Sequence, residues 1–304
     1  MVTSQRMPPR RDVRIDSGMG QLAGWLYPPA GRTTGRWPCV VLAHGFAMTR
    51  AGGLSRYAER FAAAGIGVLV FDYRHFGDST GQPRQLLDVG RQLADWRAAI
   101  VWTRAQSEVD ESRIALWGTS FSGGHVLVLA AADSRLAATV AQVPFADGLS
   151  LLRPKNPSAH GRTLALAAVR DELRARIGRA PVHVAPLGEP GELAMMTAAD
   201  AVGAIRRLYP QGADFVNAVC ARILLRLPFY RPVRRAGEIR CPLLVQLADR
   251  DTITAPGPAA TAAAAAPSGR LRCYPGDHLD AYGALFEPMI TDQLDFLCRH
   301  LNTG

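Results

Sequence analysis

The stretch Trp117-Gly118-Thr119-Ser120-Phe121-Ser122-Gly123-Gly124 constrains the fold of this chain more than any other. The residues before it, Arg113-Ile114-Ala115-Leu116-Trp117, read as a short apolar strand, and residues 126–132 after it read as a helix. A serine at such a strand-to-helix corner sits on a tight turn. Side chains two positions either side of it would collide with the neighbouring strand and helix, so glycine is favoured there. Gly118 meets that demand before Ser120. After it, Ser122 stands where the pattern G-x-S-x-G has its second glycine, with Gly123-Gly124 following at once. The pattern alone fits a glycine-rich helix start as well as a nucleophile, so the rest of the chain must decide.

Residues 38–43, 66–71 and 136–143 are continuous apolar runs of the kind that buried parallel strands show. Helical spacing over 54–64 and 86–106 separates them, with Leu87, Leu93, Trp96, Ile100 and Val101 recurring in the second. Residues 12–17 and 21–27, split by Gly18-Met19-Gly20, predict an antiparallel hairpin at the sheet edge. Strand and helix therefore alternate as in a doubly wound, mostly parallel α/β sheet, whose ligands lie beyond the carboxyl ends of the strands. His44, Asp72 and Ser120 all fall at such ends. Gly45 lets the chain turn so that the Phe46 amide faces a ligand. In acyl transfer that amide supplies half of an oxyanion hole, and the Phe121 amide supplies the other half. The His44 side chain is expected to bond loop backbone, and Asp72 and Arg74 to satisfy backbone and each other.

From Phe145 to about Gly237 the alternation stops. Residues 164–179, 194–208 and 214–227 are helical in period and are separated by prolines, while 182–193 reads as an extended loop or small hairpin. This predicts an inserted helical cap, 146–236, on a core made of 1–145 and 237–304. The sheet resumes at Cys241-Pro242-Leu243-Leu244-Val245-Gln246-Leu247, followed by Asp249 and Asp251. An alanine-rich helix over 259–266 leads to a last strand, 270–274, then Pro275-Gly276-Asp277-His278 and a closing helix, 281–301.

With 304 residues, 48% of them hydrophobic, the chain can bury a large core. No apolar stretch approaches the roughly 20 residues that cross a bilayer, and no apolar run follows Arg6, Arg10, Arg11 and Arg14 at the amino end. A cytoplasmic protein without a membrane partner is expected. Cys39, Cys220, Cys241, Cys273 and Cys298 are scattered, which argues against disulfides and metal sites. Cys39, Cys241 and Cys273 lie at predicted strands and are expected to be buried thiols. The formal charge of +9 invites a nucleic-acid reading. However, Lys155 is the single lysine, and the arginines are spread over the alanine-rich chain, which points to compositional bias instead. No residue reports oligomeric state.

Ser120, an acid at Asp249 or Asp251, and His278 thus follow one another, each just after a predicted strand. A hydroxyl that attacks at neutral pH needs a neighbouring base, and the imidazole needs an anion to fix its tautomer. In this order and spacing the chain resembles the α/β-hydrolase superfamily over nearly its whole length, cap included. The runs Asp72-Tyr73-Arg74, Phe76-Gly77-Asp78-Ser79, Gly118-Thr119-Ser120-Phe121 and Tyr274-Pro275-Gly276-Asp277-His278 resemble a capped group. That group is related to dienelactone-hydrolase and serine-aminopeptidase-like members and includes polyketide-associated thiohydrolases and acyltransferases. Its acid motif, G-x-x-D, lays Ala248 on the glycine and Asp251 on the aspartate, which favours Asp251 and leaves Asp249 as a turn former. Asp277 and Asp280 belong to the turn of His278 and are not expected to face its Nδ1.

The resemblance implies a cofactor-free serine hydrolase. Ser120 would attack an acyl carbonyl, with His278 as base, Asp251 behind it, and the Phe46 and Phe121 amides on the oxyanion. An ester of a hydrophobic acyl group is the first expectation, and a thioester or acyl transfer from a CoA- or carrier-bound chain the second. A peptide bond is disfavoured because nothing in the cap suggests a site for a free amino terminus. A non-catalytic binder on the same scaffold would not need all three residues. His125 reads as a buried helix histidine. His160 and His183, in the cap, are the candidates for substrate contact, and Leu164, Leu166, Ile223, Leu224 and Leu225 give the cap helices their apolar character.

Overall fold

A computed structural model describes residues 9–31, 35–152, 160–213 and 215–303. The first half runs β1 (Arg11–Asp16), β2 (Gln21–Tyr27), β3 (Trp37–Ala43), α1 (Leu54–Ala63), β4 (Gly67–Phe71), α2 (Val89–Arg104), β5 (Val109–Thr119), α3 (Phe121–Ala132) and β6 (Ala138–Gln142). Next come α4 (Gly161–Arg176), β7 (His183–Gly188), β8 (Ala194–Thr197), α5 (Ala201–Leu208) and β9 (Val219–Cys220). The chain closes with β10 (Leu243–Ala248), α6 (Pro256–Ala265), β11 (Gly269–Tyr274) and α7 (Phe286–Leu301).

Eight strands form one sheet in the order β1-β2-β4-β3-β5-β6-β10-β11. β1 with β2 and β2 with β4 pair antiparallel, and the other neighbours pair parallel. The continuous apolar runs have a direct cause, because both faces are covered. Cys39, Val41, Leu69, Phe71, Ile114 and Leu116 face a core shared with α2, α3 and α6. Their alternates Val40, Leu42, Val68, Val70, Ala115 and Trp117 face the core under α1 and α7. Buried polar groups in this second core are paired: Trp117 Nε1 donates to Gln293, whose amide donates to Gln142 and Gln246, tying β5, β6 and β10 to α7. Helix α2 starts three residues later than its apolar period suggests, because Asp88 caps it by accepting from Arg91 N at 3.0 Å.

Among the described residues, the segment between β6 and β10 adds no strand to this sheet. β7 falls in the stretch 182–193, which reads as an extended loop or small hairpin, but the stretches on either side of it depart from the helices expected there. β7, β8 and β9 make a separate three-stranded sheet in the order β8-β7-β9, with β8 parallel and β9 antiparallel to β7. The helix expected over 194–208 therefore begins as a strand, turns at Asp200 (φ 55°), and is helical only over α5. Of the helix expected over 214–227, residue 214 lies outside the described residues. Residues 215–218 are irregular, and β9 and the 3-10 turns Ala221–Leu225 and Leu227–Phe229 follow. Here tertiary pairing overrides helical propensity. The Asp171 carboxylate accepts from Val182 N at 2.8 Å and Arg222 N at 2.9 Å, claiming backbone that a helix would use internally. Within α4, Leu164 is buried whereas Leu166 is 71% exposed, so Leu166 belongs to the outer surface. Cys39, Cys220 and Cys241 are buried, but Cys273 is exposed because β11 is a sheet edge.

Met48 in the loop after β3 packs with Leu187, Ala201, Ile205 and Tyr209, and Leu279 joins them from the turn after β11. This segment thus rests on the carboxyl ends of the strands, where the sequence places its candidate site residues.

Candidate active site

Ser120 has φ 56° and ψ −119°, a conformation that L-residues adopt only when the surroundings impose it. Three backbone bonds impose it. Ser120 N donates to Gln142 O at 2.9 Å, and its carbonyl accepts from Phe145 N at 2.8 Å and Gly124 N at 3.3 Å. The small residues around it are steric requirements. A Cβ on Gly118 would stand 2.3 Å from Ser122 O, one on Gly123 2.8 Å from Pro144 Cβ, and one on Gly124 2.3 Å from Phe145 O. Ser122 is tolerated in place of glycine and is used. Its buried hydroxyl accepts from Tyr73 at 3.1 Å, and the Tyr73 hydroxyl accepts from Trp96 Nε1 at 2.8 Å.

Ser120 Oγ lies 3.0 Å from His278 Nε2, and His278 Nδ1 lies 2.6 Å from Asp251 Oδ2. A carboxylate only accepts, so Nδ1 carries the ring proton and the Nε2 lone pair faces the serine. The second Asp251 oxygen accepts from Ile253 N at 2.8 Å and Thr254 N at 2.7 Å, and Thr254 Oγ1 reaches Oδ2 at 2.7 Å. Burial opposes ionisation of Asp251. The histidine and the Thr254 hydrogen bonds outweigh it and hold the carboxyl below its ordinary range. Asp249 instead accepts from Gly276 N at 3.0 Å, as a turn former does. Asp277 and Asp280 close a capping box on the 3-10 turn His278–Tyr282, and no hydrogen bond among the described residues joins either to the His278 ring.

Gly45 brings the β3 loop against the serine: a Cβ there would stand 3.2 Å from Ser120 Cβ. Among the described residues no hydrogen bond uses the Phe46 or the Phe121 amide, so both are available to a ligand. Their rings meet edge to face at 5.3 Å, and Phe121 also packs on Phe145 and Tyr230, so the residues next to the Ser120 corner form an aromatic cluster. His125 is fully buried between the Tyr230 hydroxyl (2.6 Å) and Gln92 Oε1 (2.9 Å), and burial pushes it down to about 3, so it is neutral.

The loop after β4 differs from expectation. Asp72 pairs with Arg50, and Arg74 pairs with Asp95 of α2 (Nε–Oδ1 2.5 Å), so the two do not satisfy each other. Neither Arg50 nor Asp95 is near them in sequence, and no local signal announced either. His44 Nδ1 bonds Gly45 O at 3.0 Å as expected, while its buried Nε2 makes no hydrogen bond among the described residues and stands 4.0 Å from Asp72 Oδ1. Burial lowers the ring to about 4 and keeps it neutral. His160 Nε2 meets Gly191 O at 3.0 Å, and His183 Nε2 meets Arg84 O at 3.5 Å and Cys220 Sγ at 3.7 Å. These contacts tie both histidines to other parts of the molecule than the Ser120–His278–Asp251 chain. Thr254, Tyr73 and Tyr230 support the site and were not singled out from the sequence. No group of three or more potential ligands holds a metal-like geometry among the described residues, nor is any helix there long and apolar enough to cross a membrane.

Residues 20–176 match the model of the X-Pro dipeptidyl-peptidase (S15) family. The chain is 42% identical over 290 residues to the quorum-quenching protein AidA of Acinetobacter baumannii, covering 95% of this chain and 94% of that one. A thiohydrolase of Eupenicillium brefeldianum is 31% identical over 188 residues, 62% of this chain and 58% of its own. The crystal structure of the α/β hydrolase GrgF from Penicillium superposes with a TM-score of 0.83 at 26% identity, covering 97% of this chain and all of that one.

Proposed function

Because the chain belongs to the S15 family of α/β-type serine hydrolases, we propose that it cleaves an ester of a hydrophobic acyl group through Ser120, His278 and Asp251. One observation carries this reading. Ser120, on a positive-φ corner, faces a histidine lone pair at 3.0 Å whose far nitrogen is held by a buried carboxylate at 2.6 Å. In the mechanism His278 Nε2 takes the Ser120 proton as Oγ attacks the acyl carbonyl. Asp251 stabilises the imidazolium so formed, and the free Phe46 and Phe121 amides hold the oxyanion. His278 returns the proton to the leaving group, and water, activated by the same ring, releases the acid. The aromatic cluster of Phe46, Phe121, Phe145 and Tyr230 supports an apolar acyl group.

A thioester or acyl-transfer substrate is the second reading, favoured by the thiohydrolase relative. The test is a chain-length panel of paired acyl esters and thioesters. It also includes acylated lactones, because one relative is a quorum-quenching protein, and an X-Pro anilide, because of the family match. Wild type and Ser120→Ala run side by side. Ester turnover in wild type only is the expected result. Turnover of thioester or anilide alone would reassign the leaving group. Activity that survives Ser120→Ala, or none at all from folded wild type, would overturn the proposal in favour of a binding role.

A further inference from the structure

The loop leaving β3 carries the Phe46 amide, and although residues 49–53 bond normally (Gly52 N to Thr49 O 3.0 Å, Gly53 N to Ala51 O 2.9 Å), the part around Phe46 is weakly bonded. Met48 N reaches Gly45 O only at 3.5 Å, and Ala47 sits at φ 56°, a region that alanine avoids. Two consecutive amides instead fix the loop from outside. Arg50 N donates to Asp72 Oδ1 at 2.7 Å, and its guanidinium closes on the same carboxylate and on Asp78 at 2.6 Å. Asp72 is buried at the end of β4, so this anchor belongs to the sheet. Thr49 N donates to the Tyr209 hydroxyl at 3.0 Å, with Thr49 Oγ1 3.3 Å from it. Tyr209 follows α5, so this second anchor belongs to the insertion. Its ring is placed independently of the hydroxyl. It is buried, packs on Phe215 at 5.5 Å, and would stand 3.0 Å from a Cβ on Gly52.

We propose that Tyr209 is a positioning residue whose hydroxyl, by holding the Thr49 amide, sets the Phe46 amide against Ser120 and couples the seating of the insertion to the oxyanion hole. This rests on the hydrolase reading above. An oxyanion donor acts only when preorganised at hydrogen-bond distance from where charge develops. With the Tyr209 bond gone, the loop keeps the Arg50 contacts to Asp72 and Asp78 and the packing of Met48, but the Thr49 amide is no longer fixed and Phe46 N shifts out of register. Because the donor works in the transition state, the loss falls on turnover and spares ground-state binding.

Tyr209→Phe keeps the ring and deletes the acceptor. It should lower kcat about tenfold while KM stays within about twofold and Tm is nearly unchanged. Two further readouts need no natural substrate. Fluorophosphonate labelling of Ser120 should slow, and affinity for a trifluoromethyl ketone that forms an oxyanion on Ser120 should fall, each by about the same factor. A variant within twofold of wild type in both labelling rate and ketone affinity would overturn the proposal, as would an effect on KM alone or a loss that tracks a fall in the folded fraction. If wild type is not labelled at all, the hydrolase reading fails and the clamp with it. If wild type labels normally and the variant is unaffected, only the clamp fails.

Discussion

Asp251→Asn preserves the shape of the acid and removes its charge, and the surrounding bonds dictate how the amide must sit. Oδ1 accepts from two backbone amides, Ile253 N and Thr254 N, so the asparagine oxygen takes that place. Its NH2 then faces His278 Nδ1, across the present 2.6 Å. A donor there forces the ring to accept at Nδ1 and to carry its proton on Nε2, 3.0 Å from Ser120 Oγ, where no base remains. The wrong tautomer should reduce kcat by ~10⁴, about 5 kcal/mol of transition-state stabilisation. The fold loses less. Thr254 Oγ1 turns fully to Val143 O, now 3.1 Å away, and the net cost is one charge-assisted hydrogen bond, about 2 kcal/mol. Asp249→Asn is the matched control. Among the described residues its carboxylate is bonded only by the Gly276 amide, which an asparagine oxygen serves equally well, so activity should stay within about threefold. Steady-state kcat and KM on the best ester, with calorimetric Tm for each protein, decide the matter. A loss below about 100-fold for Asp251→Asn, or a larger loss for Asp249→Asn, would refute the tautomer argument.

Ser122→Gly restores the second glycine of the elbow but removes the acceptor of the Tyr73 hydroxyl. Activity should hold, with Tm lower by about 2–4 °C; an inactive but folded variant would contradict this. Gly118→Ala places a Cβ 2.3 Å from Ser122 O, backbone against backbone, and should destabilise by more than about 4 kcal/mol, read as lost soluble yield or a collapsed Tm. Recovery of a normally stable protein would mean that the corner relaxes. Asp171 is buried, which opposes its ionisation, but its bonds to Arg222 and Val182 N hold it below the ordinary carboxyl range. A depressed folded pKa adds stability above the unfolded value of about 3.9, and this is lost as pH falls through the folded one. Tm should therefore drop below about pH 4 in wild type and drop less steeply in Asp171→Asn; equal slopes in calorimetry from pH 6 to 3 would exclude this role.

The strand-helix alternation was legible because continuous apolar runs have one common cause, burial on both faces of a parallel sheet. β3, β4, β5 and β6 lie where those runs are. The interruption of the alternation between β6 and β10 was legible, but the structure of that segment was not. There β8 and β9 are short, and pairing with β7 outweighs the helical period of their residues.

At the site the same division holds. The sequence alone determined the corner at Ser120, its glycines, and the chain order of serine, acid and histidine, because turn sterics and strand ends act over a few residues. Tertiary structure decided the partners. It seated Asp251, which the motif already favoured over Asp249, on His278, joined Asp72 to Arg50 and Arg74 to Asp95, and hung Thr49 on Tyr209, 160 residues away. A hydrogen bond depends on distances of a few tenths of an ångström between groups that only packing brings together, and no local pattern encodes them.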